Sequence, residues 1–215
     1  MQKTPVTKTL AQILFLTFLL ISLTSCVSAP SRLVNQELPS QPLTIDFPGF
    51  SISTPNESGW ILAFRNEQIL ELVKRGTNKD ESYAIEVMQM INLPQLKEDD
   101  DFLSFMSEEL KKDTNQIRFI EQVHDVSTIN TMNGKCIKFV SLHKDLDAKK
   151  QTKNAAPMLL EAFGLICRNP VDITNAVFLT YSNRYYSGNQ DPSLSDKADT
   201  LFKSLKFISN KPSSI

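Results

Sequence analysis

Metal and nucleophile chemistry has little to work with in this 215-residue chain. It has two histidines, His124 and His143, and three cysteines, Cys26, Cys136 and Cys167. Neither histidine has a cysteine or carboxylate partner at metal-ligand spacing, so no zinc site is expected. There is no His-Glu-x-x-His, no Gly-x-Ser-x-Gly elbow and no phosphate-binding glycine loop. Asp99, Asp100 and Asp101 lack the calcium-loop spacing and distal glutamate, and read as acidic residues at a helix start. An excess of one charge is missing as well. The 23 Lys and Arg face 24 Asp and Glu, a net charge of −1, which argues against nucleic acid as a partner. There is one tryptophan, Trp60, and no internal repeat. No metal or cofactor is expected.

Long apolar runs are also few, and the one present is informative. Lys3 and Lys8 precede an uncharged stretch from Leu10 to Leu23. As a helix this would be roughly 21 Å long at 1.5 Å per residue. A membrane span needs about 20 residues, so the run is short for a transmembrane helix and suits the apolar region of a secretory signal. It ends in Leu23-Thr24-Ser25-Cys26, which resembles the lipobox of bacterial lipoproteins. The resemblance implies diacylglycerol on the Cys26 sulfur, cleavage after Ser25 and acylation of the new N-terminus. Several acyl chains would hold the protein on a bilayer, where one is only marginal. Val27 stands where an aspartate would favour inner-membrane retention, so the outer membrane facing the periplasm is favoured over the plasma membrane or cell surface. Loss of residues 1–25 removes Lys3 and Lys8 and takes the net charge from −1 to −3.

The expected organisation is a signal over 1–25, a flexible tether over 26–43, one domain over 44–209 and a tail over 210–215. Pro30, Pro39 and Pro42 among Ser and Gln suggest the tether. An entry strand is expected around Phe47–Thr54. Period-2 alternation then predicts strands over Trp60–Phe64 and Tyr83–Ile91, with a return strand over Ile69–Lys74 set between two turns. A helix follows Asp99, with Phe102, Phe105, Met106 and Leu110 on one face. Four more strands are expected, at Ile117–Val126, Lys135–Lys144, Met158–Arg168 and Ala176–Tyr185. Asn133-Gly134 marks the turn between the first two of these. The lysine-rich connection Asp145–Asn154 reads as a solvated hairpin tip. A last helix carries Ala198, Leu201, Phe202 and Leu205, capped by Ser195.

The fold class is therefore α+β: a central antiparallel sheet of about seven strands with two main helices, in the order βββαββββα. If the Lys135–Lys144 and Met158–Arg168 strands pair antiparallel, Cys136 and Cys167 lie opposite each other. A disulfide there suits an oxidising compartment, and two buried free thiols are the alternative. Arg184, beside Tyr185 and Tyr186, is a candidate grip for an anionic ligand. Trp60 is a candidate wall of a ligand groove, with core packing the competing role.

Ser53-Thr54-Pro55, Gly59-Trp60, the Cys167 strand ending at Asn169-Pro170 and Ser204-Leu205-Lys206-Phe207 resemble PsbP-like α/β domains, which bacterial lipoproteins similar to DcrB also contain. The resemblance spans residues 44–208. It implies assembly or binding rather than catalysis, and brings no active-site residues. The expected function is a lipid-anchored, non-catalytic binding or assembly module of the cell envelope, with the membrane and an envelope protein as partners. The competing expectation is a hydrolase, or a carrier of a small ligand in a groove near Trp60.

Overall fold

The computed structural model describes residues 33–112, 117–131, 134–153 and 156–208. The signal segment, Cys26, Asn133 of the expected turn and the tail 210–215 lie outside the described residues.

Strands β1 (Leu33–Glu37), β4 (Ile61–Arg65), β5 (Ile69–Arg75) and β6 (Ser82–Met90) form one half of an eight-stranded sheet. The chain then crosses through helix α1 (Asp99–Lys112) to the far edge. It returns strand by strand through β7 (Phe119–Thr131), β8 (Gly134–Asp145), β9 (Met158–Arg168) and β10 (Ala176–Tyr186). The final order is β1-β4-β5-β6-β10-β9-β8-β7, with antiparallel pairing at every step. A three-stranded sheet is built from β2 (Thr44–Phe47), β3 (Phe50–Ser53) and β11 (Lys206–Phe207), the last following helix α2 (Leu194–Lys203).

Successive residues on a strand face opposite sides, and the core divides accordingly. Cys136, Leu165, Cys167, Val177 and Leu179 lie on one face, under Leu194, Ala198, Leu201 and Phe202 of α2. Ile137, Phe139, Ile166 and Ala176 lie on the other, under Phe102, Leu103 and Met106 of α1. Phe139 is paired with Gly164 of β9, where its ring occupies the space a Cβ would take. The disulfide is present: Cys136 and Cys167 are register partners on β8 and β9 and are bonded.

The structure corrects the sequence expectations in four places. The main sheet has eight strands rather than seven. The stretch taken as tether contains β1, whose backbone pairs with β4 from Leu33 onward, so sheet pairing begins eleven residues before the expected domain start at Thr44. The entry strand is the β2–β3 hairpin, folded at Gly49 (φ +87°) into the smaller sheet. Helix α2 begins after Ser193, not Ser195. The Ser193 hydroxyl donates to Asp191 Oδ1 at 2.6 Å, so it does not cap the helix.

Candidate functional site

Trp60 stands just before β4 and is 1% exposed. Its ring meets Tyr181 of β10 edge-on, with centroids 5.7 Å apart. Its indole N–H donates to Glu57 Oε1 at 3.1 Å. The same oxygen accepts from the Tyr181 hydroxyl at 3.0 Å, and Glu57 Oε2 accepts from Lys74 Nζ at 2.7 Å. Burial alone would raise the Glu57 pKa, but the three donors outweigh it and hold the carboxyl below its ordinary value. Tyr181 is driven the other way, first by burial and then by the Glu57 charge.

A second carboxylate lies beside the first. Asp191 Oδ2 accepts from Tyr83 Oη at 3.1 Å and from Lys197 Nζ at 2.7 Å, while Oδ1 accepts from the Ser193 backbone N–H and hydroxyl. Burial opposes ionisation here too, and the donors again lower the pKa. Tyr83 is pushed up to about 12, by burial first and then by its bond to Asp191. The Tyr83 and Tyr181 rings are 6.5 Å apart and join the two halves of the network.

This network borders a cavity of about 310 Å³ between the segment 53–57 and α2. Pro42, Pro55, Tyr181 and Leu201 give it apolar walls, and Glu57 and Lys197 give it charged ones. Trp60 does not line it: the wall expected of Trp60 is supplied by Tyr181, and the indole is packed behind.

No protein-family model matches the chain, and no curated protein matches it. Solved structures do. The chain is similar to a point mutant of the protein Mog1, with 12% identity over 79% of this chain and 97% of that one, at a TM-score of 0.44. It is also similar to the solution structure of cyanobacterial PsbP (CyanoP) from Synechocystis sp. PCC 6803, with 14% identity over 87% of this chain and 99% of that one, at a TM-score of 0.41.

The remaining candidates lie elsewhere. Arg184 of β10 has its Nε 3.1 Å from Asp145 Oδ2, and Arg118 donates to both oxygens of the same carboxylate at 2.9 and 3.0 Å. The Asp145 side chain is fully buried. Burial would raise its pKa, and the two guanidinium groups bring it below the usual carboxylate value. Arg184 is thus committed to an internal ion pair and does not line the cavity beside Tyr181. His124 and Ser141 are register partners on β7 and β8, yet no hydrogen bond joins a serine to either histidine among the described residues. Burial lowers the pKa of His143. Among the described residues no group of three His, Cys, Asp or Glu could hold a metal ion.

The expected solvated tip is held down at two of its residues. Asp80, in the β5–β6 turn, accepts from the backbone N–H groups of Gln151 and Thr152, from the Thr152 hydroxyl and from Tyr186 Oη at 2.7 Å. Burial acts against ionisation, but these donors bring the Asp80 pKa down to about 2. Glu57 and Asp80 carry little local sequence signal, because Lys74, Tyr181, Thr152 and Tyr186 lie 17 to 124 residues away, whereas Asp191 has the local donors Ser193 and Lys197 and only Tyr83 is distant.

Proposed function

We propose that the chain is a bacterial lipoprotein, anchored through acyl chains on Cys26, whose globular part is a non-catalytic binding or assembly module of the cell envelope. The lipobox supports the anchor. A disulfide between Cys136 and Cys167 fits the oxidising side of a membrane. The absence of Asp after Cys26 supports the outer membrane facing the periplasm, and the PsbP-like resemblance supports assembly or binding.

The observation that carries the non-catalytic reading is electrostatic. General acids and bases work best with pKa values near the operating pH. Around the cavity Glu57 and Asp191 are lowered and Tyr83 and Tyr181 are raised, so each moves away from neutrality. Both carboxylates of the network already have their donors in place, which suits recognition better than proton transfer. Capture of a stoichiometric envelope protein by the acylated chain from solubilised membranes tests this reading. Repeated recovery of the chain alone would count against it.

The cavity against Tyr181 favours a second reading, a carrier of a small apolar ligand. Native mass spectrometry of the membrane-purified protein separates the two. A bound small molecule lost on Tyr181→Ala would support the carrier.

A further inference from the structure

The main sheet ends on two unlike edges. β1 is five residues long, and its register shifts between Leu33 and Gln36. β7, at the other edge, runs 13 residues and holds no proline, lysine or arginine. Short strands, bulges, proline and lysine are what keep sheet edges from pairing with other chains. β7 has one such device, a register shift between Glu121 and Val123. From Val123 to Asn130 its pairing with β8 is regular, and among the described residues no strand lies on its outer side.

This edge also leaves both cores unfinished. Val126 packs against the core under α1 and Ile129 against the core under α2, yet both are only half-buried. Val123 shares the face of Ile129 and is 47% exposed. A cavity of about 610 Å³, with Ile129, Leu165 and Phe202 in its wall, borders the same part of the strand.

The strand matches itself when reversed. In an antiparallel pair, residues directly opposite share a face and touch. A two-fold pair of β7 strands centred on Val126 sets Val126 against Val126, Val123 against Ile129, His124 against Thr128 and Asp125 against Ser127. Apolar meets apolar and polar meets polar at each of these positions, and no like charges face each other. The neighbouring registers fail. Centring on Asp125 opposes two aspartates, and centring on Ser127 sets Asp125 against Ile129. Like charges directly opposite destabilise a sheet. A two-fold interface must be self-complementary in this way, because both copies present the same patch.

We propose that β7 is a dimerisation edge. Two copies of the chain pair antiparallel through Val123–Ile129, with the two-fold axis at Val126, and join their two eight-stranded sheets into one. Val123 of the second copy covers Ile129 at the rim of the cavity, and the outward backbone groups of the strand gain partners. The interface does not depend on the lipid anchor.

Cysteine cross-linking of the full chain in mild detergent reads the register. Opposite residues have Cα atoms about 4.5–5.5 Å apart, within disulfide range. Val126→Cys should therefore give a linked dimer on mild oxidation. At position 128 the two copies lie four residues apart along the strand, about 13 Å, so Thr128→Cys should stay unlinked. Val123→Cys and Ile129→Cys chains should link to each other when mixed, and neither to itself. This pair reports the same register independently of any disturbance at position 126. Native mass spectrometry of the wild type should give twice the chain mass, and Val123→Lys, at an exposed position, should give the single mass. A monomeric wild type overturns the dimer, as does a dimer unaffected by Val123→Lys. Absence of links at 126 and between 123 and 129, or equal linking at 126 and 128, overturns the register and with it the proposal. Linking of Val126→Cys to a different polypeptide, identified by peptide mass, overturns the second copy as the occupant.

Discussion

The Tyr181 hydroxyl donates to Glu57 Oε1 at 3.0 Å, joining the middle of the main sheet to the short segment ahead of β4. The bond orders one wall of the cavity and adds to the larger effects of Lys74 and Trp60, which hold the buried Glu57 carboxyl below its ordinary value. Tyr181→Phe removes the donor and leaves the ring in place. It should cost about 1 kcal/mol in urea unfolding. An unchanged midpoint would show that water replaces the hydroxyl without loss.

Acid should weaken the fold within a defined window. Glu57, Asp145 and Asp191 have pKa values lowered in the folded state, and that of Asp80 is about 2. In each case burial acts upward and the donors prevail. A lowered folded pKa gives stability that is complete above the unfolded carboxylate value near 4 and is lost as pH falls through the folded value. The melting temperature should hold steady down to about pH 5 and fall between about 4 and 2. A fall already under way at pH 6 would contradict these assignments.

Alkali should act through tyrosine. Tyr83 is raised from 10.0 to about 12. Its contribution is complete below the unfolded value and is lost as pH rises through the folded one. Stability should decline from about pH 10 upward, and Tyr83→Phe should flatten part of that decline.

Gly164 and Phe139 form a steric lock. A Cβ at position 164 would meet Phe139 ring atoms at 1.9 to 2.6 Å. Gly164→Ala should destabilise by about 1–3 kcal/mol through overpacking. In a Phe139→Leu background the same change should cost less. Equal costs in both backgrounds would remove the ring as the cause.

The Cys136–Cys167 bridge spans 31 residues of sequence. Constraint of the unfolded chain should contribute about 3–4 kcal/mol on the loop-entropy model. Paired Cys136→Ala and Cys167→Ala substitution should lower the thermal midpoint by several degrees. Mass analysis under non-reducing conditions should show the two peptides linked.

Much of the sheet was legible because its strands alternate strongly. The period-2 pattern located β4, β6 and β10, the turns between them placed β5, β8 and β9, and the pairing of β8 with β9 brought the two cysteines together as expected. β1 was not legible: five residues among Pro, Ser and Gln have no apolar face of their own and gain their strand character from β4. The three-stranded sheet was hidden for a related reason, since β3 pairs with β11 across about 150 residues. The site was largely silent. Glu57 sits in a polar turn and Asp191 in a loop, and only the folded chain brings Lys74 and Tyr181 to the first and Tyr83 to the second. Trp60 did mark the right neighbourhood, because a lone large aromatic beside a strand packs where sheet and loops meet, but the wall of the cavity belongs to Tyr181.

The covalent state of Cys26 tests the central claim most directly. Cells fed labelled palmitate should yield a labelled, processed wild-type protein, with Cys26→Ala unlabelled and retaining its signal segment. Equal labelling of the two, or a mature wild-type protein that still begins at Met1, would contradict the lipid anchor.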